Sequence, residues 1–276
     1  FLDQPILNQI KKRLMDAFGG EFSQIVIGGA PLNAEVEEFF HKIKFPYTIG
    51  YGMTECAPLI SYADYKEFVP KSAGKLLDIM EAKLINVDAE TGVGEICVKG
   101  ENLMSGYYKN PEATASIFDD EGWLHTGDLG TIDEKGNIFI RGRNKSMILG
   151  ASGQNIYPEE IEAKLNNMPY VMESLVIDDR GKLVALVYPD YDAVDAEKLD
   201  EKQLEEVMEE NRKTLNTIVA SYETVSKIKL YPNEFEKTPK KSIKRYLYSN
   251  VNANGKGWLW TFLFVISENK KKNKKK

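Results

Sequence analysis

The sequence predicts an α/β fold in two domains, because the pattern of residues changes twice along the chain. Residues 4–52 alternate helical spacing with short apolar strands that end in glycine turns, a pattern typical of an α/β sheet. Residues 73–142 contain paired strands around tight turns, which indicates an antiparallel sheet or a small barrel. After residue 143, helices and a hairpin return, so we expect a small α+β domain there.

The first part contains two predicted helices and two short strands. Apolar residues recur at helical spacing until Gly19-Gly20, a pair that ends a helix, and Asn33 is suited to cap the next helix. In order, the expected elements are a helix over residues 4–19, a buried strand over Ser23–Ile27, a helix over 33–41 and a strand over Tyr47–Ile49.

The later elements are hairpins and amphipathic helices. Pro158 opens a helix over residues 159–166, whose first turn is acidic. A long charged helix is predicted at about Ala196–Tyr222, and a strand begins at Ile228. The predicted hairpins pair Ala82–Val87 with Gly94–Val98, Gly130–Asp133 with Ile138–Arg141, and Ser174–Ile177 with Leu183–Tyr188. We predict domains over 1–143 and 144–250, followed by an atypical tail over 251–276.

Composition and charge exclude several classes of protein. The 276 residues are 42% hydrophobic and 28% charged, which is ordinary for a soluble globular chain. Two cysteines without a CxxC pattern and two histidines argue against a disulfide framework and a multi-histidine metal centre. The net charge of −6 includes six lysines among the last seven residues. Without these lysines the charge is −12, and an acidic body argues against nucleic-acid binding.

The tail and the start of the chain bear on where the protein resides. Trp258–Ile266 is apolar but much shorter than the roughly 20 residues of a membrane helix. With the lysines that follow, it could lie on an anionic membrane surface, although we favour an extension outside the fold. We expect a cytoplasmic protein, with peripheral contact at the inner face of the membrane as the alternative.

Because Phe1 enters an amphipathic pattern directly, we expect the chain to start inside a longer protein.

The first polar motif with candidate chemistry is Gly50–Glu55, Gly-Tyr-Gly-Met-Thr-Glu. Its glycines let the backbone approach a ligand closely. Tyr51 offers a flat face for a base, Thr54 a hydroxyl for a phosphate, and Glu55 a carboxylate for a hard cation. Taken alone, the motif is better explained as an ordinary polar loop.

Two further motifs follow downstream. Gly122–Asp128 ends in a carboxylate that can accept hydrogen bonds from both hydroxyls of a ribose. Residues 142–162 join a basic segment to a glycine-containing loop, where the pattern changes from one domain to the next. Taken alone, the first is explained as a capped turn and the second as a linker.

In order and spacing, the three motifs together resemble the adenylate-forming superfamily, which includes acyl-CoA synthetases, luciferases and adenylation domains of peptide synthetases. Gly28–Leu32 and Gly94–Glu112 resemble it too, and Met147–Ile161 and Phe235–Pro239 are most similar to bacterial long-chain fatty-acid–CoA ligases. The resemblance covers residues 1 to about 248. It implies the end of a large domain, with an α/β sheet portion and an antiparallel barrel-like subdomain, followed by a small mobile α+β domain.

The resemblance implies a role for each matching residue. Tyr51 would stack on adenine, Thr54 would contact phosphate, and Glu55 would coordinate Mg²⁺. Asp128 would bind the ribose hydroxyls of ATP or AMP, supported by Arg143. The other implied positions are the pocket residues Gly28, Gly29, Ala30 and Gly52, the hinge Lys145, and Gly153 in the loop that moves in for thioester formation with coenzyme A.

The sequence departs from the family pattern in two places. The glycine-, serine- and threonine-rich phosphate loop with its lysine does not occur in residues 1–276, and we expect it upstream of Phe1. Ser242 occupies the position of the catalytic lysine, three residues before Arg245. Since a one-residue irregularity after Pro239 would bring Lys241 into that position, we predict Lys241 as the catalytic lysine, with Lys244 second.

The sequence therefore predicts an ATP-dependent acyl-CoA synthetase of the long-chain fatty-acid type. It would convert a carboxylate into an acyl adenylate and then into a CoA thioester. Its expected partners are a fatty acid, ATP, CoA and the missing N-terminal portion of the same enzyme, without nucleic acid. Two alternatives remain open: an acyl-AMP ligase that loads a carrier protein, and a truncated chain without catalytic activity.

Overall fold

The computed structural model describes residues 4–150, 153–239 and 241–248. These residues form two compact units that divide between Lys145 and Ser146, called unit 1 and unit 2 below. The tail predicted over 251–276 lies outside the described residues, and the predicted domain bounds stay predictions. No helix within the described ranges is both long and apolar enough to cross a membrane.

Unit 1 begins with a small parallel α/β layer. Strands β1 and β2 pair in parallel, with Ile25 opposite Tyr47. Asn33 caps the second helix as predicted, because its side chain accepts hydrogen bonds from the amides of Glu35 and Val36. The layer consists of α1 (Gln4–Ala17), β1 (Ile25–Ile27), α2 (Ala34–Lys42) and β2 (Tyr47–Ile49).

Strand β1 is less buried than its sequence predicted. Val26 is 54% exposed, so the prediction of a buried strand is wrong for this face. Within the described part of the chain, β2 is the strand that pairs with β1, and a parallel strand is buried only where both faces are covered.

The second half of unit 1 is an antiparallel sheet. Strands β5 to β8 follow one another in chain order, which agrees with the two hairpins predicted from the sequence. Ile96, Val98, Leu124 and Ile138 are fully buried and form its core. The elements are β3 (Tyr51–Gly52), β4 (Leu59–Ser61), β5 (Met80–Ile85), β6 (Gly94–Gly100), α3 (Pro111–Ala115), β7 (Leu124–Ile132) and β8 (Ile138–Arg143), with a 3₁₀ turn at Thr54–Cys56.

Unit 2 packs helices on a three-stranded sheet. The antiparallel hairpin of β11 and β12 is extended by β13, which pairs in parallel with β12. Ile161, Leu165 and Leu215 bury the helices against this sheet. The elements are β9 (Ile148–Leu149), β10 (Asn155–Ile156), α4 (Pro158–Leu165), β11 (Val171–Asp178), β12 (Leu183–Pro189), α5 (Tyr191–Glu197), α6 (Glu201–Ile218) and β13 (Val225–Leu230), with 3₁₀ turns at Ser221–Glu223 and Arg245–Leu247.

The prediction of one long helix at about Ala196–Tyr222 is wrong, because two helices, α5 and α6, occupy this part of the chain. Lys198 adopts a left-handed conformation with φ of 55° and ends α5. Asp200 then starts α6 with a capping box, in which its side chain accepts from the Gln203 amide and the Gln203 side chain accepts from the Asp200 amide.

Candidate functional site

Two glycine loops meet at the carboxyl ends of the parallel strands β1 and β2. The Gly50 amide donates to the Ile27 carbonyl at 2.9 Å, so the chain leaves β2 beside the end of β1. A Cβ on Gly28 would lie 3.2 Å from the Gly50 carbonyl oxygen, which leaves little room for a side chain. Gly29, whose φ is 84°, and Ala30 follow in the same loop, and both are exposed to solvent. Ligands commonly bind at such strand ends in α/β sheets.

Tyr51, Asp128 and Arg143 form a hydrogen-bonded cluster. The Tyr51 hydroxyl donates to Oδ2 of Asp128 at 2.7 Å, and Nε of Arg143 lies 3.1 Å from Oδ1. Burial, reinforced by the charge of Asp128, raises the pKa of Tyr51 above its usual range, so the phenol stays a donor at neutral pH. The guanidinium of Arg143 is 72% exposed and can reach a bound ligand. The structure thus joins three residues that are separated by up to 92 positions in the sequence.

A bulge in β7 presents Asp128 at this place. The register of β6 and β7 pairs Cys97 with His125 and Glu95 with Leu129. Three residues of β7, Thr126–Asp128, therefore face a single residue of β6. Such a bulge re-aims a side chain out of the regular ladder.

Local contacts hold the bulge in shape. The Thr126 hydroxyl donates to the Ile96 carbonyl at 2.7 Å and accepts from the Asp128 amide at 3.0 Å. Gly127 has φ of 71°, a conformation that glycine adopts without strain. On the other side, Asp128 pairs with Arg143 across β7 and β8. The sequence motif therefore specifies the turn as well as the carboxylate.

Thr54 and Glu55 lie in the 3₁₀ turn that follows Tyr51 and Gly52. The Tyr107 hydroxyl donates to Oε1 of Glu55 at 2.8 Å, whereas the Thr54 hydroxyl is exposed without a hydrogen-bond partner in the described ranges. Within these ranges, no cluster of three or more His, Cys, Asp or Glu side chains could hold a metal. A single carboxylate nevertheless fits Mg²⁺, which usually takes one or two carboxylates together with substrate phosphates.

Gly52 is required by the packing of this loop. A Cβ at this position would lie 1.9 Å from the Pro58 carbonyl oxygen and 2.9 Å from Cα of Leu59. Both contacts are with backbone, so any side chain would displace one of the two segments. The glycine lets strand β3 lie against β4 and keeps Tyr51 near Asp128.

Lys145 and Gly153 lie outside this cluster. Lys145 is exposed at the end of unit 1, directly after Asn144. Gly153 belongs to unit 2, in the turn between β9 and β10, where its φ is 89° and its amide donates to the Gly150 carbonyl at 2.9 Å. Their roles as hinge and as part of a mobile loop stay predictions.

The basic loop of unit 2 is a tight turn. Lys237 and Ile243 form an antiparallel bridge, and the Lys241 amide donates to the Thr238 carbonyl at 2.8 Å. Lys241 has φ of 61°. The position of Lys241 relative to the family's catalytic lysine, and its catalytic role, stay predictions.

The lysines of this loop differ in their partners. Lys237 pairs with Glu173 at 2.7 Å, and Lys244 pairs with Glu236 at 3.3 Å. The Lys241 side chain is exposed and makes no ion pair with any residue that the structure describes. Lys241 is therefore better placed than Lys244 to offer its charge to a ligand.

Arg245 attaches the same loop to the body of unit 2. Its Nη2 lies 2.6 Å and 2.5 Å from the two carboxylate oxygens of Glu162, and its Nε lies 3.4 Å from Glu159. The Val176 amide also donates to Glu162, at 2.6 Å. Burial raises the pKa of Glu162 to about 7, although Arg245 and the Val176 amide act in the opposite direction. One buried carboxylate thus connects α4, β11 and the basic loop.

Comparisons with known proteins identify the family. The description "AMP-binding enzyme" matches residues 4–108, and "AMP-binding enzyme C-terminal domain" matches residues 145–251. The chain belongs to the AMP-binding enzyme family. Its fold is accordingly that of the adenylate-forming superfamily, as the motifs predicted.

Individual relatives include enzymes with different names. Long-chain-fatty-acid–CoA ligase 4 of Saccharomyces cerevisiae is 34% identical over 187 residues, which is 65% of this chain and 27% of that protein. Luciferin 4-monooxygenase of Nipponoluciola cruciata is 39% identical over 158 residues, 55% of this chain and 29% of that protein. ATP-bound MatB from Rhodopseudomonas palustris superimposes with a TM-score of 0.67 at 30% identity, over 90% of this chain and 49% of that one. The chain thus spans less than half the length of these relatives.

Three residues of the site were not singled out as functional from the sequence. Tyr107 contacts Glu55, Glu95 contacts the bulge of β7, and Glu162 anchors Arg245. Each contact joins positions at least 32 residues apart. The local signal for each is its place in a stretch that resembles the family: Glu95 and Tyr107 lie in Gly94–Glu112, and Glu162 ends the motif over residues 142–162.

Proposed function

We propose that this chain is part of an ATP-dependent acyl-CoA synthetase that activates long-chain fatty acids. The cluster of Tyr51, Asp128 and Arg143 carries the proposal, because it combines an aromatic face with a carboxylate and a guanidinium at the end of a parallel sheet. These are the groups that a nucleotide needs: a surface for the base, an acceptor for ribose hydroxyls and a positive charge.

The nucleotide would be held mainly through its base and its ribose. Tyr51 would lie against adenine while its hydroxyl keeps Asp128 oriented. The Asp128 carboxylate would accept hydrogen bonds from the two ribose hydroxyls, and charge-assisted bonds of this type are the stronger ones. Arg143, which is largely exposed, would close over the same sugar. The glycines at 28 and 29 leave the backbone open to the acyl group and the phosphate.

The first reaction joins the carboxylate to the nucleotide. A carboxylate oxygen of the fatty acid attacks the α-phosphorus of ATP, the bond to the β-phosphate oxygen breaks, and pyrophosphate leaves. Thr54 would donate to the phosphate, and Glu55 would hold Mg²⁺, which neutralises charge on the phosphates when bound. From unit 2, Lys241 would offer a further positive charge to the phosphoryl oxygens.

The second reaction transfers the acyl group to a thiol. The CoA sulfur attacks the carbonyl carbon, the bond to the AMP oxygen breaks, and AMP leaves. We propose Lys145 as the pivot between the two reactions and the loop around Gly153 as a part of the second one, since a small mobile domain can present different faces in turn. The protein would act in the cytoplasm, with peripheral contact at the inner face of the membrane as the alternative.

The relatives support the proposed adenylation step, but they do not favour one particular acid as the substrate. Fatty-acid–CoA ligases and luciferin 4-monooxygenases match the chain at similar identity, so the acid and the acceptor remain to be identified by assay. A carrier protein in place of CoA stays the principal alternative.

The decisive experiment uses the natural full-length polypeptide that contains this chain. We would measure carboxylate-dependent exchange of pyrophosphate into ATP for fatty acids of different length and for luciferin-like aromatic acids, and then thioester formation with CoA or a carrier protein. We expect exchange with long-chain acids and thioester with CoA. Asp128→Asn should weaken ATP binding, while Asp88→Asn, in an exposed hairpin turn of the same unit, should not. Absence of exchange with every acid would refute the proposal.

A further inference from the structure

The bulge that presents Asp128 has backbone groups that need partners outside the ladder. The Gly127 amide donates to Oε1 of Glu95 at 3.2 Å, and the Gly127 carbonyl accepts from the Asn144 amide at 2.8 Å. A backbone donor or acceptor without a partner is costly away from water. Both polar groups of Gly127 are thus satisfied by residues of β6 and of the segment after β8.

Glu95 lies at the centre of this arrangement. It is a glutamate on the inner strand β6 and only 8% exposed. Its second oxygen, Oε2, lies 3.4 Å from Nδ2 of Asn144, and Nδ1 of His125 lies 3.8 Å from Oε1. One carboxylate therefore contacts both Gly127 of the bulge and Asn144, the residue that immediately precedes Lys145.

We propose that Glu95 is a positioning residue for nucleotide binding: its carboxylate holds the Thr126–Asp128 bulge and Asn144 together, so that Asp128 faces the ribose. This inference rests on the proposed function, because it assigns Glu95 a task at the site where the nucleotide binds. Glu95 acts through Gly127 and does not contact the ligand itself.

Size and hydrogen-bonding capacity both matter for this role. Leucine at position 95 would fill similar space but would leave the Gly127 amide without an acceptor, so the bulge could relax into other conformations. Glutamine keeps an acceptor oxygen for the Gly127 amide, and the Asn144 side chain can turn its own oxygen toward the new amide group. Glu95→Gln should therefore keep the bulge conformation that Glu95→Leu loses. If Glu95 were needed only for its negative charge, both variants would fail in the same way.

The test measures ribose recognition and bulge order separately in the natural full-length polypeptide. Affinities for AMP and for 2′,3′-dideoxy-AMP give the ribose discrimination, and hydrogen exchange followed by mass spectrometry reports on the peptide over residues 124–132. We expect the wild-type protein to prefer AMP by at least about tenfold, since hydrogen bonds to charged groups are the stronger ones. Glu95→Leu should abolish most of this preference and speed exchange in the peptide, and Glu95→Gln should retain both properties. Glu81→Leu, at an exposed position of the neighbouring strand β5, is the matched control.

The outcomes separate this inference from the proposed function. If Glu95→Leu folds and still prefers AMP as the wild type does, the positioning role is wrong while the nucleotide site stands. If the wild-type protein binds both nucleotides equally, the proposed function is wrong, and the positioning role with it. If Glu95→Leu fails to fold, Asn144→Ala takes its place in the test, because it removes one of the two hydrogen bonds to the Glu95 carboxylate. A reduced preference for AMP supports the proposal, and an unchanged preference overturns it.

Discussion

Replacing Arg245 by methionine tests how the basic loop is attached to unit 2. Methionine keeps most of the side-chain length but removes the guanidinium that contacts Glu162 at 2.6 Å and 2.5 Å. Glu162 would then be a buried carboxylate whose remaining hydrogen-bond donor is the Val176 amide. We expect the loop that carries Lys241 to detach from α4 and β11 and unit 2 to lose stability.

The magnitude follows from the burial of the two partners. Removing one partner of a fully buried ion pair costs about 3–5 kcal/mol, because a charge is left without compensation. The Glu162 side chain is 11% exposed and the Arg245 side chain is 23% exposed, so water can reach part of the site. We therefore expect the free energy of unfolding to fall by about 2–3 kcal/mol at pH 8.

The same variant has an expected pH dependence. Burial raises the pKa of Glu162 from 4.5 to about 7, so the folded chain binds this proton more tightly than the unfolded chain. Its contribution to the free energy of unfolding is thus fully present below pH 4.5 and falls as the pH rises to about 7. Without Arg245 the pKa of Glu162 should rise further, so its contribution to the free energy of unfolding should keep falling above pH 7. The destabilisation should therefore be larger at pH 8 than at pH 6.

The assay is urea unfolding of the whole chain, followed by hydrogen exchange in peptides from β11 and from residues 241–248. Arg212→Met is a matched control. Arg212 also makes two hydrogen bonds to one carboxylate, that of Glu209, but the Glu209 side chain is 50% exposed. We expect a much smaller effect in the control. Equal effects in the two variants, or a destabilisation by Arg245→Met that is the same at pH 6 and pH 8, would refute the reasoning.

Three further predictions concern the site residues in the natural full-length polypeptide. Lys145→Pro fixes φ and removes a donor, so pyrophosphate exchange should persist while thioester formation is lost, and equal loss of both half-reactions would exclude a hinge. Lys241→Ala should slow adenylation by roughly 10²–10³ and spare thioester formation from supplied acyl adenylate, whereas a larger effect of Lys244→Ala would assign the role to Lys244. Gly52→Ala should abolish AMP binding measured by calorimetry, because its Cβ would lie 1.9 Å from the Pro58 oxygen, and normal affinity would show that the loop adapts.

Local patterns were sufficient to predict most elements of the fold. The cap at Asn33 and the hairpin turns depend on residues within a few positions of each other, and the structure agrees with them. The break at Lys198 was missed, although Asp200 and Gln203 have the spacing of a capping box. Ala196 and Leu199 are three positions apart, a helical spacing that spans Lys198 and favours one continuous helix.

The geometry of the site depended on long-range pairing, which a single sequence does not reveal. Asp128 was predicted from its motif, but the bulge that turns it toward Tyr51 arises from the register of β6 and β7. The partners Glu162 and Arg245 are 83 positions apart, and no local pattern marks them as a pair. In the basic loop, Pro239 disfavours a regular strand, and Lys241 has φ of 61°.

The most direct test of the central claim is to follow a carboxylate oxygen through the reaction. A fatty acid labelled with ¹⁸O in its carboxylate is incubated with ATP, Mg²⁺, CoA and the natural full-length polypeptide, and the products are analysed by mass spectrometry. If an acyl adenylate forms, the oxygen that attacks the α-phosphorus leaves with the nucleotide, so one ¹⁸O should appear in AMP for each thioester. Label in inorganic phosphate together with ADP, or thioester without labelled AMP, would contradict the account.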